Sequence, residues 1–222
     1  MKEQSIEFSF QARYLQSGPV EKSTREIWFV LHGYGQLATY FSKKFEALTA
    51  HRVVIAPEGL SRFYLEDVRQ RASGLPSRVG ASWMTREGRL TDIENYLTYL
   101  NSVYRQVVPT DFAGPISILG FSQGAATAAR WAVSNQIRFE RLILWAGIFP
   151  DDLDFASGHA VLAKKQTVLV RGTNDPFITE ERLAHSQKLI DQLQITPETI
   201  TFDGGHEIDI EVLQKLSTPT SK

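Results

Sequence analysis

Apolar and polar positions alternate near the start of the chain: Ile6, Phe8, Phe10, Ala12 and Tyr14 are separated by Glu7, Ser9, Gln11 and Arg13. A period of two predicts a half-exposed strand at a sheet edge. The polar stretch 16–26, which holds Gly18 and Pro19, reads as a connection. Beyond it the pattern changes. Continuous apolar runs occupy 27–31, 53–56, 116–119, 142–146, 168–170 and 199–202. Runs rich in Val and Ile suit strands buried on both faces. Between them the spacing is helical. Leu37, Tyr40, Phe41, Phe45 and Leu48 share one face, as do Leu90, Ile93, Leu97, Leu100 and Tyr104. Leu183, Gln187, Ile190 and Leu193 form a weaker stripe, with Glu180 and Glu181 suited to a helix's positive amino end.

Strands alternating with helices predict an α/β fold: a mostly parallel central sheet with helices on both faces. The stretch 58–86 has little periodicity and is broken by Gly74, Pro76 and Gly80. An irregular excursion of that length in a compact domain is a candidate rim or small lid. Following the second buried strand, it falls at the carboxyl edge of the sheet, where open α/β folds bind ligands.

The chain of 222 residues fits one domain, 1–222, with enough apolar content (42%) for a core. Lys plus Arg (24) balance Asp plus Glu (25), so no strong field draws nucleic acid or an anionic membrane. The absence of cysteine excludes a thiol nucleophile, thiolate metal sites and disulfides. Residues 1–10 lack the basic start and apolar run of a signal peptide, and no apolar run reaches spanning length. The expectation is a cytoplasmic protein with no integral membrane segment.

Candidate chemistry begins at 120–124. Gly120-Phe121-Ser122-Gln123-Gly124 joins a buried strand to an alanine-rich helix, the context of a Gly-x-Ser-x-Gly nucleophile elbow. Two glycines relieve a turn sharp enough to drive side chains into neighbouring backbone. A serine N-cap on an ordinary strand-to-helix turn is the plainer alternative. A serine hydroxyl needs a base, usually a histidine oriented by a carboxylate, and in this topology they follow in the order Ser, acid, His.

His206, in Gly204-Gly205-His206-Glu207 directly after the run 199–202, has the right order and place. His185 reads as solvated on a helix, and His159 as loop surface. Asp175, after the run 168–170, is the candidate acid. Asp203 is its rival, and Asp151, Asp152 and Asp154 follow behind. The oxyanion of an acyl-transfer intermediate needs two donors. The backbone N–H groups of Gln123 and of Tyr34, in His32-Gly33-Tyr34-Gly35, are the candidates. His32 lies upstream of the serine and is assigned to structuring its loop.

Together these segments resemble the phospholipase/carboxylesterase branch of α/β-hydrolases, which includes acyl-protein thioesterases. Leu31-His32-Gly33-Tyr34-Gly35 is similar to its His-Gly-x-Gly loop; Gly172-Thr173-Asn174-Asp175 and Gly205-His206-Glu207 are similar to its acid and base loops. The elbow matches, glutamine included. Arg171 stands where that branch often has histidine, and Phe177-Ile178 where it has valines. Its tryptophan-containing stretch is here Ala81-Ser82-Trp83-Met84-Thr85-Arg86.

The resemblance implies a cofactor-free esterase acting on a small-molecule carboxylic ester, lysophospholipid or acyl thioester, its oligomeric state left open. Trp83, Met84, Phe177 and Ile178 are the candidate substrate-binding residues, with core packing the alternative for each. Two further readings compete. Gly33-Tyr34-Gly35-Gln36-Leu37-Ala38, with Glu58 about twenty residues on, fits a dinucleotide fingerprint. A non-catalytic binding protein on a hydrolase scaffold is the other. No His-Glu-x-x-His spacing points to a metal.

Overall fold

The computed structural model describes residues 1–2, 4–49, 51–72, 74 and 76–218. All six apolar runs are strands: β2 (Glu26–Leu31), β3 (Arg52–Pro57), β6 (Ile116–Phe121), β7 (Arg141–Trp145), β8 (Gln166–Gly172) and β9 (Glu198–Phe202). They pair in parallel in the order β3-β2-β6-β7-β8-β9, and the short strand β1 (Tyr14–Gln16) closes one edge antiparallel to β3.

The edge strand is where expectation and structure part. Only the tail of the alternating segment enters the ladder, Tyr14 opposite Pro57, and Ile6, Phe8 and Phe10 are exposed. Period-two alternation does not make a strand unless backbone groups find a neighbour.

Helices cover both faces. On one side lie α3 (Arg89–Val107), α4 (Gln123–Val133), α5 (Phe155–Leu162) and α6 (Glu180–Leu193), which pack Tyr96, Leu100, Trp131, Leu162 and Leu193 on Ile27, Phe29, Ile118 and Leu144. On the other, the four-residue α1 (Ala38–Phe41), the 3-10 turns Ser42–Leu48 and α7 (Ile210–Ser217) bring Phe41, Phe45 and Leu213 against Trp28, Val30, Ile143 and Trp145. In α3 the buried stripe is Tyr96, Leu100, Val103 and Val107, turned slightly from the expected one, and Leu90 is exposed.

The stretch 58–86 is not irregular. It contains an antiparallel hairpin, β4 (Ser61–Tyr64) and β5 (Val79–Ser82), and the short helix α2 (Val68–Ala72). The hairpin docks on the loop after β2, where Gly35 N–H donates to Ala81 O (2.9 Å) and Ala81 N–H to Gln36 O (3.0 Å). That pairing places the excursion against the loop that follows β2. His159 also departs from expectation. It belongs to α5, whose N-cap Asp154 hid in a polar run, and its Nδ1 meets Leu193 O at 3.0 Å.

Candidate active site

At the carboxyl end of β6 the chain turns through Ser122 at φ 54°, ψ −115° into α4. An L-residue there is strained by on the order of 1–3 kcal/mol, so the surroundings must hold it. They do: Ser122 N–H donates to Trp145 O at 2.8 Å. A Cβ on Gly120 would lie 2.1 Å from Gly124 O, and one on Gly124 would lie 2.3 Å from Leu31 O. No side chain fits at either position, which is the physical content of the Gly-x-Ser-x-Gly pattern.

The loops after β8 and β9 are laced together. Thr173 N–H donates to Phe202 O and Asn174 N–H to Gly204 O, both at 2.9 Å. Gly172 permits this approach, since a Cβ there would meet Gly204 O at 2.2 Å. The lacing brings Asp175 under His206, whose Nδ1 lies 2.8 Å from Asp175 Oδ2. A carboxylate only accepts, so the His206 proton sits on Nδ1. That leaves Nε2 to accept the Ser122 hydroxyl, 2.9 Å away.

Asp175 is 5% exposed and is held a second time by Phe177 N–H at 2.9 Å. The His206 ring packs between Phe121 and Phe177, with centroids 4.9 and 4.7 Å away. Asp203 is exposed and accepts from Asn174 Nδ2 at 2.9 Å. His185 pairs with Asp151.

The loop 32–35 passes close to the serine: a Cβ on Gly33 would be 3.2 Å from Ser122 Cβ. His32 is fully buried. Its Nδ1–H donates to Gly33 O (2.7 Å), and its Nε2 accepts Gly59 N–H (3.0 Å). Burial holds its pKa below the ordinary value, so it ties the loop as a neutral imidazole. The Tyr34 side chain is exposed, its ring tilted against that of Phe63 with centroids 5.1 Å apart. Gln123 opens α4, where backbone N–H groups lack intrahelical partners.

The four expected substrate residues separate. Trp83 is 1% exposed and packs in the core, its indole N–H donating to His32 O at 2.8 Å. Met84 is half-buried against the same core, with its sulfur near Arg130. Phe177, 56% exposed, stands beside His206, and Ile178 is half-buried next to it.

Periodicity gave no sign of two supports. Trp145 Nε1–H holds Glu207 O at 2.7 Å, although the residue reads as ordinary strand core. The Gln123 side chain reaches the segment 82–84.

The dinucleotide reading fails on the same loop. Glu58 is buried, bound bidentately by Arg13 (2.6 and 2.9 Å) and accepting Ala38 N–H, so the carboxylate this reading needs is already engaged. The helix after the glycines is only α1. Among the described residues no group of three His, Asp or Glu side chains is placed to hold a metal. No described helix is long and apolar enough to cross a membrane.

A seven-stranded sheet with a Ser–His–Asp hydrogen-bonded series at its carboxyl edge defines an α/β-hydrolase. Residues 23–211 match the family described as Serine hydrolase (FSH1), and the chain belongs to that family of serine hydrolases. A search of curated proteins gave no match.

Similar solved structures include acyl-protein thioesterase 2 of Zea mays, 18% identical with a TM-score of 0.66, covering 93% of this chain and 96% of that one. The Bacillus cereus carboxylesterase is 16% identical with a TM-score of 0.66, over 93% and 92% of the two chains. A phospholipase/carboxylesterase from Dyadobacter fermentans is 17% identical with a TM-score of 0.62, over 95% and 97%. At such identities these likenesses establish the fold, and with the family match they bear out the resemblance to phospholipase/carboxylesterase-type α/β-hydrolases.

Proposed function

We propose that the chain hydrolyses small-molecule carboxylic esters, oxygen or acyl thioesters, through an acyl-enzyme on Ser122. The observation that carries this is the continuous series from Ser122 Oγ through His206 to Asp175. Ser122 Oγ attacks the substrate carbonyl while its proton passes to His206 Nε2. The carbonyl oxygen, now an oxyanion, takes hydrogen bonds from the Tyr34 and Gln123 N–H groups. Collapse breaks the bond to the leaving group, which receives the proton from His206. Water then repeats the sequence: His206 takes its proton, the hydroxide adds to the acyl carbon, and Ser122 leaves with that proton. Asp175 keeps the His206 tautomer fixed throughout, and no step calls on a cofactor.

Residues 1–222 act as one domain with 58–86 as its rim. Phe177 and Ile178 flank the substrate, and Phe177 presents an apolar face beside the base. The test is hydrolysis of p-nitrophenyl esters from acetate to palmitate by wild type and Ser122→Ala. Wild type is expected to turn over part of the series, with kcat in Ser122→Ala down on the order of 10⁴-fold. Near-normal turnover by the variant would remove Ser122 from the mechanism.

A further inference from the structure

Residues 82–84 leave the hairpin and run directly beside the elbow. The Gln123 side chain grips them on three sides: Oε1 accepts Trp83 N–H (3.1 Å), and Nε2 donates to Met84 O (2.9 Å) and Ser82 Oγ (3.1 Å). Ser82 Oγ in turn donates to Met84 O at 2.7 Å. From the same segment the buried Trp83 indole reaches the other way and donates to His32 O at 2.8 Å, its ring lying 5.1 Å from the His32 ring. One residue further back, Ala81 pairs with Gly35 and Gln36.

Tyr34 therefore sits in a loop pinned at 32 and at 35–36 by the segment that Gln123 pins at 82–84. A glutamine amide offers one acceptor and two donors, and all three needs of the segment are met by that set. A pair of oxyanion donors works only at a fixed separation, because each must lie about 3 Å from an oxygen that exists only in the transition state.

We infer that segment 82–84 is a strut that sets the spacing of the two oxyanion donors, and that the Gln123 side chain is the positioning residue that locks it. Gln123 thus has two separate parts: its backbone N–H faces the oxyanion, whereas its side chain acts through Trp83 and the 32–35 loop. The inference rests on the serine reading given above and adds a specific residue to it. Misplacing a donor by even a fraction of an ångström weakens its bond to the oxyanion and leaves ground-state binding largely untouched.

The test compares wild type with Gln123→Met, which keeps length and loses every polar contact. It is read by kcat and KM on a p-nitrophenyl ester and by Ki for an aryl trifluoromethyl ketone, whose serine adduct carries the oxyanion. Expected is a fall in kcat of about ten- to a hundredfold with KM within about twofold, and a rise in Ki by the same factor as the loss in kcat/KM. A merely structural role would lower the melting temperature while kcat and Ki, measured well below it, stay within twofold of wild type; that result, or a loss confined to KM, overturns the inference.

Trp83→Phe keeps the ring and removes only the donor to His32 O. It should shift kcat and Ki in the same direction by a smaller factor, and it decides the matter should Gln123→Met not fold. A wild-type enzyme that the ketone does not inhibit would sink the serine reading and the strut with it. Inhibition of wild type and both variants with equal Ki would sink the strut alone.

Discussion

Asp175 and Asp203 flank one loop pair and differ in what each faces. Asp175 is buried, accepts Phe177 N–H and meets His206 Nδ1; Asp203 is exposed and engaged by Asn174. Asp175→Asn replaces an obligate acceptor with a group that donates, which turns the imidazole to the wrong tautomer. We expect kcat to fall on the order of 10³- to 10⁴-fold in Asp175→Asn and to stay within a few-fold in Asp203→Asn, as steady-state assays of the two variants will read. Comparable losses in the two would move the acid to 203.

These residues were legible because each follows directly on a buried apolar run, so chain order and strand ends place them. Side-chain direction was not. Trp83, in the segment hydrogen-bonded to the Gln123 side chain, packs in the core, and Gln123 was read for its backbone alone. An apolar residue near a site carries no sign of which way it turns, and a glutamine's partners are set by chain forty residues away.

Among the elements, the six central strands were readable because burial on both faces leaves long apolar runs that few other structures require. The hairpin was not. Its strands are four residues each, with Arg62, Gly80 and Ser82 among them; they pair with each other, and Ala81 of β5 also exchanges backbone hydrogen bonds with Gly35 and Gln36. Gly80 shows how close that pairing is: a Cβ there would lie 2.4 Å from Gly35 O. Gly80→Ala must push the hairpin off the 33–36 loop, a clash of the kind that costs about 1–3 kcal/mol. Both the melting temperature and kcat should drop, kcat by roughly tenfold. Gly18→Ala, with nothing within 4 Å, serves as the control and should leave both unchanged. Unaltered activity in Gly80→Ala would mean that the rim does not support the site.

At the scale of the molecule, the sheet separates two tasks. Its amino edge is an ion-pair cluster: Glu26 accepts from Arg52, Arg141 and Ser117, and the two arginines also hold the carbonyls of Ser217 and Leu216 at the end of α7. The carboxyl edge carries the strained serine and the loops that serve it. Near-zero net charge and balanced composition fixed neither edge in the sequence; strand direction did, because parallel strands gather their following loops on one side.

The most direct measurement is intact-mass analysis of the protein after reaction with a fluorophosphonate, followed by peptide mapping. One adduct per chain on Ser122, absent in Ser122→Ala and slowed strongly in His206→Ala, is the predicted result. No adduct on the folded wild-type chain, or an adduct on another residue, would contradict the assignment of Ser122 as the nucleophile.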